Sequence, residues 1–200
     1  MTLFLTRYFL RELSAWVLFT PLVYSFILII GAFIGEPFYF TFIMVMYTCA
    51  LVFSQYFVVR KKYLTLFKIA PLAKKTMIVA DFAFLSWIAF CYASYALIVS
   101  ILLAALIHRE LLFPTIHEIS FMIGCCLFII TLSIWFALQS WIPINTFIFL
   151  MLFMSVVFPL NDVVPLANAY GLHFLTLMLA ITSLSYFTMI ALEKRGLVYK

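Results

Sequence analysis

A chain of 200 residues that is 68% hydrophobic and only 10% charged, with a mean hydropathy of +1.24, excludes a water-soluble globular domain. A fold this small leaves too much surface exposed to hide so many apolar side chains, so the solvent facing them is lipid, and one membrane domain over residues 1–200 is expected. The net charge of +5 does not point to nucleic acid, because the basic residues are placed as topological signals.

Residues 1–14 come first. On a helical wheel Leu5, Phe9 and Leu13 fall on one side and Arg7 and Arg11 on another, and Glu12 follows Arg11. Such a segment is expected to lie as an interfacial helix, its apolar face in lipid and its cations toward phosphates. A frayed basic start to the first span is the plainer alternative. Arg7 and Arg11 before an apolar run imitate a signal peptide, but the run is too long for an h-region and no A-x-A site follows. The first helix is therefore expected to stay in the protein.

A helix crossing the hydrocarbon needs about 20 apolar residues. Runs of that kind occur at Trp16–Ile34, Phe38–Val59, Met77–Ile107, Ile119–Gln139, Ile144–Leu160 and Leu172–Leu192. The third exceeds what a crossing needs, so it tilts, kinks or extends past the bilayer. Only Ser140, Trp141, Ile142 and Pro143 separate the fifth from the fourth, and five spans with one re-entrant pair is the competing count. Lys and Arg resist translocation. With the amino end in the cytoplasm, the inner segments hold Arg7 and Arg11, then Arg60, Lys61, Lys62, Lys68, Lys74 and Lys75, then Lys194, Arg195 and Lys200, whereas the outer loops hold only Arg109. The expected architecture is all-α, with about six transmembrane helices and both ends in the cytoplasm.

Motifs that carry chemistry are scarce. The sequence contains no G-x-x-x-x-G-K phosphate loop, no H-E-x-x-H and no G-x-S-x-G. Cys49, Cys91, Cys125 and Cys126 sit inside apolar runs without metal-ligand spacing and read as small buried hydrophobes. His108 and His117 flank Arg109, Glu110 and Glu118 in the expected outer loop between spans three and four. These are competent ligand types, yet their spacing fits no helical metal motif. His173, near the start of the sixth run, reads as a packed or interfacial histidine. Asp81 lies a few residues inside the third run, where a helix start and the neighbouring Lys74 and Lys75 can stabilise a carboxylate; the alternative is a functional intramembrane acid. Asn161 and Asp162, with Pro165 and Asn168 close behind, read as an outward loop or re-entrant turn that can shape an outer gate. Gly31 and Gly35 form a G-x-x-x-G, a spacing that lets helices approach closely. Glu193, Lys194, Arg195 and Gly196 suit a helix end and carry no function.

The most informative segment is the inner loop from Arg60 to Thr76. Lys61, Thr65 and Lys68 share one helical face, and Leu64 and Phe67 another. Pro71 then breaks that helix or starts the next. Such an amphipathic element can rest on anionic headgroups. It can also dock a cytoplasmic partner, its apolar side filling a groove while the lysines steer the encounter.

The order of elements resembles a permease subunit of the ABC-2 type of ATP-driven transporter: interfacial amino-terminal helix, two spans, inner amphipathic loop, four more spans. Within the loop, Ile69-Ala70-Pro71-Leu72-Ala73-Lys74-Lys75-Thr76 is similar to the family's proline-plus-basic segment leading into the third span, with Ala73 where a serine is common. The resemblance implies a multi-pass protein of a bacterial cell membrane. It also implies a separate cytoplasmic ATP-binding subunit carrying ATP and Mg, a second permease chain, identical or related, and no cofactor in this chain. Lys61, Lys62, Tyr63, Leu64, Phe67, Lys68, Pro71, Leu72, Lys74 and Lys75 would form the ATPase-coupling element, and Asn161, Asp162 and Pro165 would fall at the outer gate. Ser54, Gln55, Ser94, Thr131 and Gln139 among many aromatics suit a hydrophobic or amphipathic exported cargo such as a lipid, a drug or a peptide. Rival classes are a substrate-binding membrane subunit of a vitamin-uptake system, an intramembrane enzyme, and a non-transporting scaffold or immunity protein. The first lacks its A-x-x-x-A signature in helix one, and the second lacks paired catalytic groups.

Overall fold

Inside lipid every backbone N–H and C=O must find its partner within the chain, and for so apolar a sequence helices satisfy that demand. The computed structural model describes residues 11, 15–69, 74–108, 113–138 and 160–194, with side chains at 11, 19–53, 55–56, 76–108, 113–135 and 163–192. Among them the regular structure is all helical: α1 (Ala15–Ile34), α2 (Pro37–Ile69), α3 (Lys74–His108), α4 (Ile116–Leu138) and α5 (Leu160–Lys194). Three contain stretches long and apolar enough to cross a membrane, Thr76–His108, Ile116–Trp135 and Val163–Leu192, while Phe19–Ile34 and Pro37–Phe53 are shorter apolar stretches. Of the expected interfacial helix only Arg11 is described, helical and exposed. The fifth apolar run, up to residue 159, lies outside the described residues.

Local chemistry sets the helix ends. Gly35 adopts φ +86°, and the amides of Gly35 and Glu36 both donate to the Gly31 carbonyl at 3.1 Å, a glycine stop of the Schellman kind. Pro37 then opens α2 at the position where a missing N–H costs nothing. Ahead of α4, the Thr115 amide donates to Glu118 Oε2 at 2.7 Å and the Glu118 amide donates back to Thr115 Oγ1 at 3.2 Å. This reciprocal capping box makes Glu118 part of the first turn of α4 rather than of a loop. Hydroxyls within the apolar helices are mostly satisfied locally, as where Thr41, Thr48 and Ser120 donate to carbonyls one turn back.

Side-chain contacts fix the helix directions. α1 and α2 are antiparallel, with Gly31 lying under Phe40; a Cβ on Gly31 would stand 2.4 Å from Phe40 Cβ. The first glycine of the G-x-x-x-G thus serves a close approach within the chain, and the second ends the helix. α2 and α3 are also antiparallel, since Tyr56 bonds Asp81 at one end and Ser100 reaches the Pro37 carbonyl at the other. α4 runs parallel to α5: Thr115 bonds Asn168 at 2.9 Å and Thr131 bonds Thr182 at 3.0 Å, so contacts advance together along both helices. A Cβ on Gly171 would stand 2.0 Å from the His117 carbonyl oxygen, so the two backbones nearly touch there.

These directions bring the start of α1, the end of α2, the start of α3 and the end of α5 to one end of the bundle. α2 and α3 each pack against the other four helices, and α2 is the more deeply buried. Its residues from Phe38 to Tyr56 supply much of the buried core, with Phe84, Ile129, Ile130 and Ile134 from α3 and α4. Large apolar side chains of α1, α3 and α5 face outward, among them Phe33, Leu106 and Leu184. Surfaces like these fit lipid as the surrounding medium.

Candidate functional site

Among the described residues the lysines and arginines gather at one end of the bundle. Arg60, Lys61, Lys62 and Lys68 lie in the final turns of α2, Lys74 and Lys75 open α3, and Glu193 and Lys194 close α5, all at one end. Glu36, Glu118 and the backbone position of Asp162 lie at the opposite end. We refer to these as the basic and the acidic ends.

At the basic end α2 does not stop where its apolar run stops. It continues as helix through Lys61, Lys62, Tyr63, Leu64, Phe67 and Lys68 to Ile69, and α3 begins at Lys74 and Lys75. Helices of 33 and 35 residues are about 50 Å long, against a hydrocarbon core of about 30 Å. The described parts of the expected inner element, 60–69 and 74–76, are therefore continuous with two long helices. The side chains of 57–75, and Pro71 and Leu72 altogether, lie outside the described residues, as do Arg7 and Glu12.

Just before this extension sits a buried polar contact. The Tyr56 hydroxyl donates to Asp81 Oδ1, the two residues being 0% and 2% exposed. The Tyr56 ring stacks on Phe84 at 4.8 Å and 24°. Asp81 is the eighth residue of α3, beyond the first turn where a helix dipole is strongest. Its described partner is a tyrosine of the neighbouring helix, a group that the sequence reading did not identify. Pairing residues about Pro71 would not have found it, since that register sets Asp81 opposite Lys61, whereas the observed one centres between Lys68 and Ile69 and sets Asp81 opposite Tyr56 and Ser100 opposite Pro37. Both polar contacts share that register, separated by 19 residues on each helix, Pro37 to Tyr56 and Asp81 to Ser100. That spacing is about 28 Å along the axis, close to one hydrocarbon core.

At the acidic end a cavity of about 190 Å³ opens between the α1–α2 turn and α3, α4 and α5, lined by Glu36, Thr41, Ser100, Phe113, Glu118 and Val164 among others. His108 closes the end of α3 by placing Nε2 2.6 Å from the Ala32 carbonyl, so that nitrogen is the donor. His117 Nδ1 is buried without a hydrogen-bond partner. Among the described residues no group of three potential metal ligands comes together.

Several expectations are corrected. The stretch from Asn161 to Asn168 is not a loop or re-entrant turn: α5 begins at Leu160 and contains Asn161, Asp162 and Pro165, so the helix starts twelve residues before Leu172. Val163 and Ala167 are buried at 1% and 0%, and that packing overrides the low helix propensity of proline and asparagine this close to a helix start. Pro165 itself is exposed. His173 lies inside α5 and is exposed, which excludes the packed alternative and leaves the interfacial one. Cys49, Cys125 and Cys126 are buried, but Cys91 is exposed on α3. Of the polar groups expected to suit a cargo, Thr131 is engaged with Thr182, Gln55 is exposed and Ser94 is half-buried, while the side chain of Ser54 and the whole of Gln139 lie outside the described residues. Comparison of the chain with family models, curated proteins and solved structures finds no match.

Proposed function

We propose that this chain is the permease subunit of an ABC-2-type, ATP-driven exporter of a hydrophobic or amphipathic cargo. The observation that carries the reading is the basic end of the α2–α3 pair, where α2 carries a cluster of cations and apolar residues beyond its apolar stretch and α3 opens with Lys74 and Lys75. A cytoplasmic ATP-binding subunit would dock there, with ATP and Mg held by that partner. Its closure would displace the helix ends and bias the bundle between two arrangements, as any such coupling requires. A second permease chain would complete the pathway.

The basic end is assigned to the cytoplasm because Lys and Arg resist translocation. Six crossings are proposed because α4 and α5 run parallel. The chain has to cross back between them, and the apolar run 144–160 is long enough to do so as a helix. Both ends of the chain then face the cytoplasm of a bacterial cell.

The test is a mild-detergent pull-down of the tagged chain with ATPase activity measured on the eluate. It is repeated on the double variant Leu64→Asp/Phe67→Asp, after checking that this variant still inserts. An ATPase that copurifies with the parent and falls at least about tenfold with the variant is the expected result. A chain that elutes without any nucleotide-hydrolysing partner overturns the permease reading and favours a stand-alone binding or scaffold protein.

A further inference from the structure

Among the described residues two carboxylates are buried, and they differ in what explains them. Glu118 caps a helix. Asp81 is the eighth residue of α3, beyond the capping positions of that helix, and is 2% exposed. An ionisable group held at that depth is costly unless its partners compensate it, and apolar packing alone would hold α2 against α3 without it. The Tyr56 hydroxyl meets this carboxylate, and the Tyr56 ring is held flat on Phe84, one turn along α3. The contact lies four residues before Arg60 and six after Lys75, so within two turns of the basic segment on both helices. Toward the other end of the same register Ser100 Oγ stands 3.5 Å from the Pro37 carbonyl, at the limit of a hydrogen bond. The hairpin is therefore pinned firmly beside its basic segment and lightly beside the acidic-end cavity.

We propose that the Tyr56–Asp81 contact is the joint that makes the ends of α2 and α3 move as one lever, carrying a displacement of the basic segment to the acidic end of the bundle. Tyr56 and Asp81 are positioning residues in this scheme. The inference rests on the permease reading for what pushes the lever, but the joint itself can be tested without any partner.

Tyr56→Phe is the informative variant, because it keeps the ring on Phe84 and deletes one hydroxyl. In the first arm, amide hydrogen exchange is followed on the chain alone in lipid nanodiscs. Exchange of residues 57–69 and 74–80 is expected to rise about tenfold in Tyr56→Phe, the effect of losing one buried hydrogen bond, while α4 and α5 stay unchanged. Unchanged exchange in the first two segments overturns the joint, whatever the chain's function. The second arm uses the complex with its ATPase in a Cys91→Ser background, with spin labels at Leu106 and Tyr170 on the acidic end and at Thr65 and Leu184 toward the basic end. With ATP, Mg and vanadate, the parent is expected to shift both distances and Tyr56→Phe only the one reporting on Thr65. A variant that still shifts both reduces the contact to packing and overturns the lever. If the parent shifts neither, the permease reading fails, and the joint stands or falls on the exchange result alone.

Discussion

The two ends of the bundle are held together by different means. At the acidic end much of the work is done by backbone, in the glycine stop at Gly35, the proline start of α2 and the approach of α5 to α4 at Gly171, beside the side-chain bonds of Thr115, Glu118 and Asn168. At the basic end it is done by side chains, with Tyr56 on Asp81 and Phe84, and Phe82 edge-on to Tyr186 at 5.5 Å and 85°. Backbone packing tolerates no added atoms but loses little when one hydroxyl is removed. A buried polar pair behaves the other way round, because deleting one partner strands the other. The contrast teaches that substitutions of similar size will have opposite rankings at the two ends.

Three measurements by reversible unfolding in mixed micelles can break that comparison. The largest effect is expected from Gly171→Ala, where a Cβ 2.0 Å from a backbone oxygen has no flexible side chain to push aside. The helices must separate, at a cost of about 3 kcal/mol; a loss below about 1 kcal/mol would show that the backbones are not in contact. Next comes Asp81→Ala, expected to cost about 2 kcal/mol by stranding the Tyr56 hydroxyl and leaving a small void. Here the pairing can be sharpened: Tyr56→Phe combined with Asp81→Leu removes both polar groups, and should be less destabilising than the single Asp81 variant. Additive losses would argue that the two residues act separately. The smallest effect belongs to Ser100→Ala, under about 0.5 kcal/mol, since its bond to Pro37 is at the distance limit. A larger loss there would erase the distinction between a firm and a light end.

What was legible in the sequence follows from what leaves a local trace. Apolar runs and the separation of Lys and Arg need no tertiary contact to be read, and they marked the helices and the end at which the cations gather. Pro71, the expected helix breaker, lies outside the described residues. The capping box was present as Thr115-x-x-Glu118 directly before an apolar run, a local signal that was read as loop composition instead. The stretch from Asn161 to Asn168 misled for the opposite reason: its residues favour turns in isolation, and only the burial of Val163 and Ala167 against other helices makes them helical. The Tyr56–Asp81 contact could not be read from either residue alone, because it depends on the register of a hairpin.

The parallel arrangement of α4 and α5 also has a consequence in time. Helices that follow one another in sequence can pair as they emerge, but these two are separated by 139–159 and can meet only after that stretch has been made. At about 5–20 residues per second, the ribosome takes a few seconds to reach even the start of α5, and longer to complete it. During that interval Thr131 and Gly124 of α4, which later face Thr182 and Phe174, wait without their partners. The stage of synthesis at which this protein most needs a chaperone or the insertion machinery at its side therefore falls late, after four of the five described helices have been made.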